Sequence, residues 1–211
     1  MGSPHNLKKR QPTDVAKEDL AIRFVNTVAW RLRQATEERL PTLAALLDWL
    51  DENGVRISND SAELTRGRGG HFQGAQTAYA SAIALRETIY ALLVAQIRNV
   101  SPVADHVQAF NRFLHHRPAA LLEWRAGKFG WNGSHPNELD FCTPIAISAA
   151  ELMTGSRAGR VKQCADDRGC GWLFIDESRA QNRRWCSMGD CGNRAKASRH
   201  YARIRETRTG N

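Results

Sequence analysis

The 211-residue chain has no window approaching 18 consecutive apolar residues, which leaves no evident segment to cross a bilayer. Its first dozen residues are polar and basic, without the apolar stretch of a secretory signal, and Asn6 stands where a myristoylation signal carries Ser or Thr. These lacks predict a cytoplasmic protein with no membrane partner. Proline is scarce, at 7 residues, and 42% of the chain is hydrophobic, 25% charged and 8% aromatic. That balance excludes collagen-like, mucin-like and wholly disordered chains. The run Arg66-Gly67-Arg68-Gly69-Gly70 lacks the Gly-Lys-Ser/Thr that closes a phosphate-binding loop, so it reads as a solvated connection. His71, His106, His115, His116 and His135 show no spacing that specifies a catalytic pair. An enzyme is not expected.

Acidic residues run short in one part only. Residues 157–211 hold 13 Lys/Arg against 6 Asp/Glu, a net of +7, whereas residues 1–156 hold 17 against 16, a net of +1. Such asymmetry points to a polyanionic partner for the C-terminal quarter. Cysteine divides the same way: Cys142 stands alone, and Cys164, Cys170, Cys186 and Cys191 crowd together after it. The chain therefore divides into a flexible arm at 1–12, a domain at 13–156 and a basic, cysteine-rich module at 157–211.

The middle part reads as mainly helical. Leu20, Phe24 and Val28 recur at four-residue steps, and Thr42 caps a helix from Leu43 to Asn53 that Gly54 ends. The longest helix spans Gln73 to Asn99, carrying Ala82, Leu85, Ile89, Leu92, Leu93 and Ile97. Ser101 and Pro102 open another, running to about His116, then Ala120 to Trp131 reads as a β-hairpin and Pro144 to Thr154 as a closing helix. With its own apolar stripes and balanced charge, this part is expected to fold without the rest.

The cysteines are spaced as two close pairs, Cys164/Cys170 and Cys186/Cys191, separated by a loop of 15 residues. That spacing suits one tetrahedral structural Zn²⁺, and a reducing cytosol disfavours disulfides. Four thiolates would close the shell, which leaves no open position for catalysis. Between the pairs, Trp172 and Phe174 fall on one face of a strand and Leu173 and Ile175 on the other, followed by a turn and a second arm ending at Trp185-Cys186. This predicts a hairpin between the metal half-sites. In the helix after Cys191, Ala197, Tyr201 and Ile204 share a face that can pack on the hairpin, while Lys196, Arg199 and Arg203 project oppositely.

Cys164-x5-Cys170-Gly-Trp-x-Phe-x-Asp-x-Ser, followed by Arg184-Trp-Cys-Ser-Met-x-x-Cys-Gly-Asn-Arg194-x-Lys196, resembles the CGNR-type zinc finger. In that family the finger follows a helical domain called ABATE, and Phe24-Val25-Asn26-Thr27 and Leu85-Arg86-Glu87-x-x-Tyr90 are similar to its two recurring segments. The resemblance implies a treble-clef finger and a stress-induced transcriptional regulator. The expected fold class is α+β, a mainly helical N-terminal domain with a β-hairpin plus a small C-terminal treble-clef zinc finger.

The function expected is a DNA-binding regulator whose basic finger grips double-stranded DNA, while the N-terminal domain senses an unknown small-molecule effector or mediates assembly, with room for a homo-oligomer. Zinc with four thiolates contributes −2, which leaves the module about +5. Arg183, Arg184, Arg194, Lys196, Arg199 and Arg203 are the candidate DNA contacts. A solvated basic face balancing the metal centre is the competing reading, and Arg184 and Arg194, beside ligands, are also placed to bond sulfur or backbone. Asn26, Trp30 and Arg86 are the candidate effector residues, Arg86 as a bidentate holder of an anion. Two alternatives remain: an RNA-binding module that stacks bases on Trp172, Trp185 and Tyr201, and a protein-interaction adaptor.

Overall fold

The computed structural model describes residues 19–55, 71–115, 121–125, 128–132 and 141–209. The expected arm at 1–12 and the connection at 66–70 lie outside the described residues. Helix α1 (Leu20–Val25) starts on Asp19, whose carboxylate accepts the Ala21 N–H. The same carboxylate accepts Ser148 Oγ at 2.5 Å and Arg157 at 2.9 Å, which ties the start of α1 to residues 148 and 157.

The expected helix through Val28 is shorter than its periodicity suggests. Thr27 Oγ1 donates to the Phe24 carbonyl at 2.7 Å, a local bond that competes with helix continuation. Val28–Ala29 (β1) instead pairs antiparallel with Glu37–Glu38 (β2). Val28 is buried in this arrangement too, so its spacing from Phe24 is satisfied by a strand as well as by a helix.

Helix α2 (Leu43–Glu52) forms as its signals require. Thr42 Oγ1 accepts the Ala45 N–H at 3.1 Å, Gly54 takes φ +72°, and the N–H groups of Gly54 and Val55 return to Asp51 and Leu50. Those two return bonds satisfy carbonyls that a helix end leaves open.

Helix α3 (His71–Ile97) is the central strut, with Ala82, Leu85, Ile89, Leu92 and Leu93 buried. By length and composition Gln76–Ile97 is apolar enough to cross a membrane. Here its apolar side chains join the protein core, and Arg86 is buried among them. Helix α4 (Ala104–His115) begins later than the Ser101-Pro102 pair suggested, because the carbonyl of Val103 accepts the N–H groups of His106 and Val107. The hairpin forms from β3 (Leu121–Arg125) and β4 (Lys128–Asn132), with Arg125 opposite Lys128. Helix α5 (Cys142–Thr154) closes the helical layer against α1, α3 and α4.

The C-terminal module differs most from expectation. Strand β5 (Val161–Gln163) pairs antiparallel with β6 (Leu173–Ile175), so the hairpin partner of 173–175 lies upstream, not in the 183–186 arm. The downstream arm is held instead by Asp176, which is 0% exposed and accepts Ser178 N–H and Oγ, Arg183 N–H and Lys162 Nζ. Helix α6 (Asn193–Thr209) ends the described chain.

The strand alternation holds, with a consequence for domain structure. Phe174 and Trp172 pack with the four clustered cysteines, whereas Val161, Leu173 and Ile175 pack into the core formed by α1, α2, α3, α4 and α5. The N-terminal core is therefore completed by residues from beyond 157.

Candidate metal centre

Cys164 follows β5, and the turn Asp166–Gly169 swings the chain back so that Cys170 faces it. The Cys164 N–H donates to the Trp172 carbonyl at 2.8 Å and closes this first loop. Ala165 N–H donates to the Arg184 carbonyl, which brings in the arm bearing Cys186. Cys191 lies in a widened π-helical turn (Met188–Gly192) that leads into α6. All four cysteines are buried, none forms a disulfide, and their Sγ atoms lie within 4.8 Å of one another.

The separations fit a single zinc ion. Cys170–Cys186 and Cys186–Cys191 Sγ distances are 3.7 and 3.6 Å. A tetrahedron with Zn–S bonds of about 2.3 Å has an edge of about 3.8 Å. Without a cation the four thiols compete for charge. Hydrogen bonds from Cys170 and its neighbours hold Cys164 far below the usual thiol range, while the hydrogen bond with Cys164 pushes Cys186 and Cys191 far up. A divalent ion held by Cys164, Cys170, Cys186 and Cys191 would remove that conflict by accepting all four as thiolates.

Arg194 braces the centre. Its Nη2 lies 2.8 Å from Cys191 Sγ and 2.9 Å from Asp166, and its Nη1 bonds Asp190. Asp166 is itself buried; burial would raise its pKa, but the Arg168 N–H and Arg194 hold it low. Arg183 also points inward, donating to the Trp185 and Cys186 carbonyls beneath the ring of Phe174. Of the six candidate DNA contacts, Arg183 and Arg194 thus have protein acceptors at their guanidinium groups. Arg184, Lys196, Arg199 and Arg203 are exposed.

Helix α6 does not lie on the hairpin. Tyr201 is 67% exposed, and positions 196–203 are exposed on every side. Of the expected packing face, Ala197 and Tyr201 are exposed and Ile204 is half-buried, on a helix that is polar around most of its circumference. Its start at the four-cysteine centre anchors it, and residues 196–203 project.

Asn26, Trp30 and Arg86 come together with the finger and leave no open anion holder. The Asn26 side chain donates to the Leu173 carbonyl at 2.8 Å and accepts its N–H at 3.0 Å, acting as a strand edge for β6. Trp30, at φ +57°, turns the chain so that the Arg31 and Leu32 N–H groups reach the Cys170 and Gly169 carbonyls. Gly169 and Gly171 permit this approach at φ +89° and +66°; a Cβ on Gly171 would lie 3.0 Å from Arg31 Cβ. Trp172 Nε1 donates to the Val28 carbonyl at 2.8 Å. Arg86 is 2% exposed, with its donors taken by Glu38, Glu87 and Thr27. Glu87 also pairs with Arg31 at 2.6 Å, Arg31 stacks on Tyr90, and Tyr90 donates to the Gly171 carbonyl at 2.9 Å. One polar chain therefore runs from β2 through α3 to the metal loop.

Sequence reasoning missed Asp166, Asp176 and Tyr90 as supporting residues. Asp176-x-Ser178 and Asp166-x-Arg168 each place an Asp two residues before the N–H it accepts, a turn signature that was legible in the sequence.

Residues 160–204 match the CGNR zinc finger, and residues 18–156 match ABATE, described as "Putative stress-induced transcription regulator". No curated protein matches the chain. The second match spans more than half of the 211 residues, and both segments quoted for it bond the cysteine-bearing module, Asn26 at Leu173 and Tyr90 at Gly171; the chain belongs to the ABATE family and carries a CGNR zinc finger at its C-terminal side.

Proposed function

We propose that this is a DNA-binding transcription regulator, a cytoplasmic binding protein and not an enzyme, in which the N-terminal domain mounts a treble-clef finger and fixes its orientation. The observation that carries this reading is helix α6. It is anchored at its start by a four-thiol centre and presents Lys196, Arg199 and Arg203 on an exposed rod. Such a rod is pre-organised to meet phosphates with little ordering cost. A role under stress comes with the family's description alone.

The RNA alternative loses most of its stacking surface, since Trp172 is tied to Val28 and Trp185 packs on the cysteine cluster, leaving Tyr201 as the one open ring of the three. Effector sensing at Asn26, Trp30 and Arg86 has no support in their geometry, because protein groups occupy the polar atoms of Asn26 and Arg86.

An electrophoretic selection of random duplexes by the zinc-loaded full chain, with single-stranded RNA as competitor, tests the reading. Enrichment of a duplex motif that RNA fails to displace is expected. Preferential displacement by RNA would contradict it in favour of the RNA module, and retention of neither nucleic acid would favour the adaptor.

A further inference from the structure

We infer that the DNA footprint extends beyond the finger onto the N-terminal domain, where Arg33 contacts a backbone phosphate on the side of α6 opposite Lys196, Arg199 and Arg203. This rests on the DNA-binding reading above.

Arg33 is an exposed arginine held in one place. Its guanidinium stacks 3.7 Å from the centroid of the Trp30 ring, and its Nε donates to the Arg168 carbonyl at 2.5 Å. Trp30 also carries Arg194, whose guanidinium carbon lies 5.3 Å from the same centroid. The two cations are therefore closer than one Debye length at 0.1 M salt, about 10 Å. Arg194 is neutralised by Asp166 and Asp190. Arg33 and the exposed Arg168 have no carboxylate partner among the described residues, and the terminal nitrogens of Arg33 bond no protein acceptor among them. Among the described residues, these two cations at the foot of a projecting helix lack a carboxylate, which fits an anion that arrives from outside.

The position of Arg33 relative to α6 identifies the anion. At about 100° per residue, Lys196, Arg199 and Arg203 stand roughly 200°, 140° and 180° around the helix from Arg194. Arg33, joined to Arg194 through Trp30, lies on the other flank. A helix lying flat on one strand of DNA would use one flank only. The major groove is about 12 Å wide and a helix with side chains about 10–12 Å across, so a helix entering it passes between two phosphate walls. The exposure of α6 on every side suits that placement, with the cationic trio at one wall and Arg33, assisted by Arg168, at the other.

The test compares wild type, Arg33→Ala and Arg33→Lys as zinc-loaded full-length proteins, measuring duplex affinity across salt concentrations. Each neutralised phosphate contributes about −0.9 to the slope of log affinity against log salt. Arg33→Ala should flatten the slope by about 0.9 with zinc content unchanged, and Arg33→Lys should restore it. An unchanged slope in Arg33→Ala, while wild type still binds with strong salt dependence, would overturn the second contact and leave the DNA reading standing. Absence of duplex binding by wild type would overturn the DNA reading itself. Release of duplex by millimolar inorganic phosphate at constant ionic strength, lost in Arg33→Ala, would assign the site to a free anion and overturn the backbone contact.

Discussion

Stripping zinc from the folded protein should lower the melting temperature of its N-terminal helices as well as unfold the finger. Structural zinc contributes about 10–16 kcal/mol of apparent binding free energy in small fingers, which exceeds what this hairpin and its loops can supply without metal. Once the thiol centre opens, the finger no longer holds Val161 and Leu173 in the core of the helical domain. Burial of two such side chains is worth about 3–6 kcal/mol. The Asn26–Leu173, Trp172–Val28 and Tyr90–Gly171 hydrogen bonds go with them. For a chain of this length each kcal/mol moves Tm by about 2–4 °C, so the helical transition should fall by about 10 °C or more. Circular dichroism at 222 nm, with and without a strong chelator under reducing conditions, reads this. A helical transition that stays in place after the metal has left would show that residues 19–155 form a self-sufficient core.

Replacing Arg86 by Ala should cost about 3 kcal/mol, the lower end of the range for removing one partner of a buried ion pair. The lower end applies because Glu38 and Glu87 retain contact with water, whereas Arg86 does not. The pH dependence gives a second signature. Burial alone would raise both carboxyl pKa values, yet Arg86 for Glu38, and Arg31 with Arg86 for Glu87, hold them below the ordinary value. A carboxylate lowered in the folded state contributes stability that is full above the unfolded pKa, about 4.3, and lost as pH falls through the folded pKa. The difference in stability between wild type and Arg86→Ala should therefore be largest near neutrality and shrink below about pH 4. Denaturant unfolding at pH 7 and pH 3.5 measures it; an equal difference at both would locate the effect in lost packing.

Much of the fold can be read from local signals. Thr42 and Gly54 bound α2 through hydrogen bonds made within a few residues, and the apolar spacing from Ala82 to Leu93 defines the buried side of α3 without reference to partners. The four cysteines were legible for the same reason, since metal geometry demands paired thiols. What failed depended on distant partners. Val28 satisfies a helix repeat and a strand equally, and the choice is made by Thr27 and by pairing with Glu38. The expected partner of Leu173–Ile175 is the downstream arm ending at Trp185-Cys186, but Val161–Gln163 upstream takes that place, and Asp176 gathers Ser178 and Arg183 of the downstream arm into a loop. Asn26 and Arg86 drew attention as polar residues inside apolar helices, but only the tertiary structure reveals that they serve the finger and the buried ion network.

The most direct test of the account is the salt dependence of duplex DNA affinity for the zinc-loaded full chain beside its Arg199→Ala/Arg203→Ala variant. With about five phosphates neutralised, wild type should show a slope of roughly −4 to −5. The double variant should lose about two units of that slope while keeping its zinc and its Tm. Unaltered slope and affinity in the double variant, with the metal centre intact, would contradict the assignment of α6 to DNA.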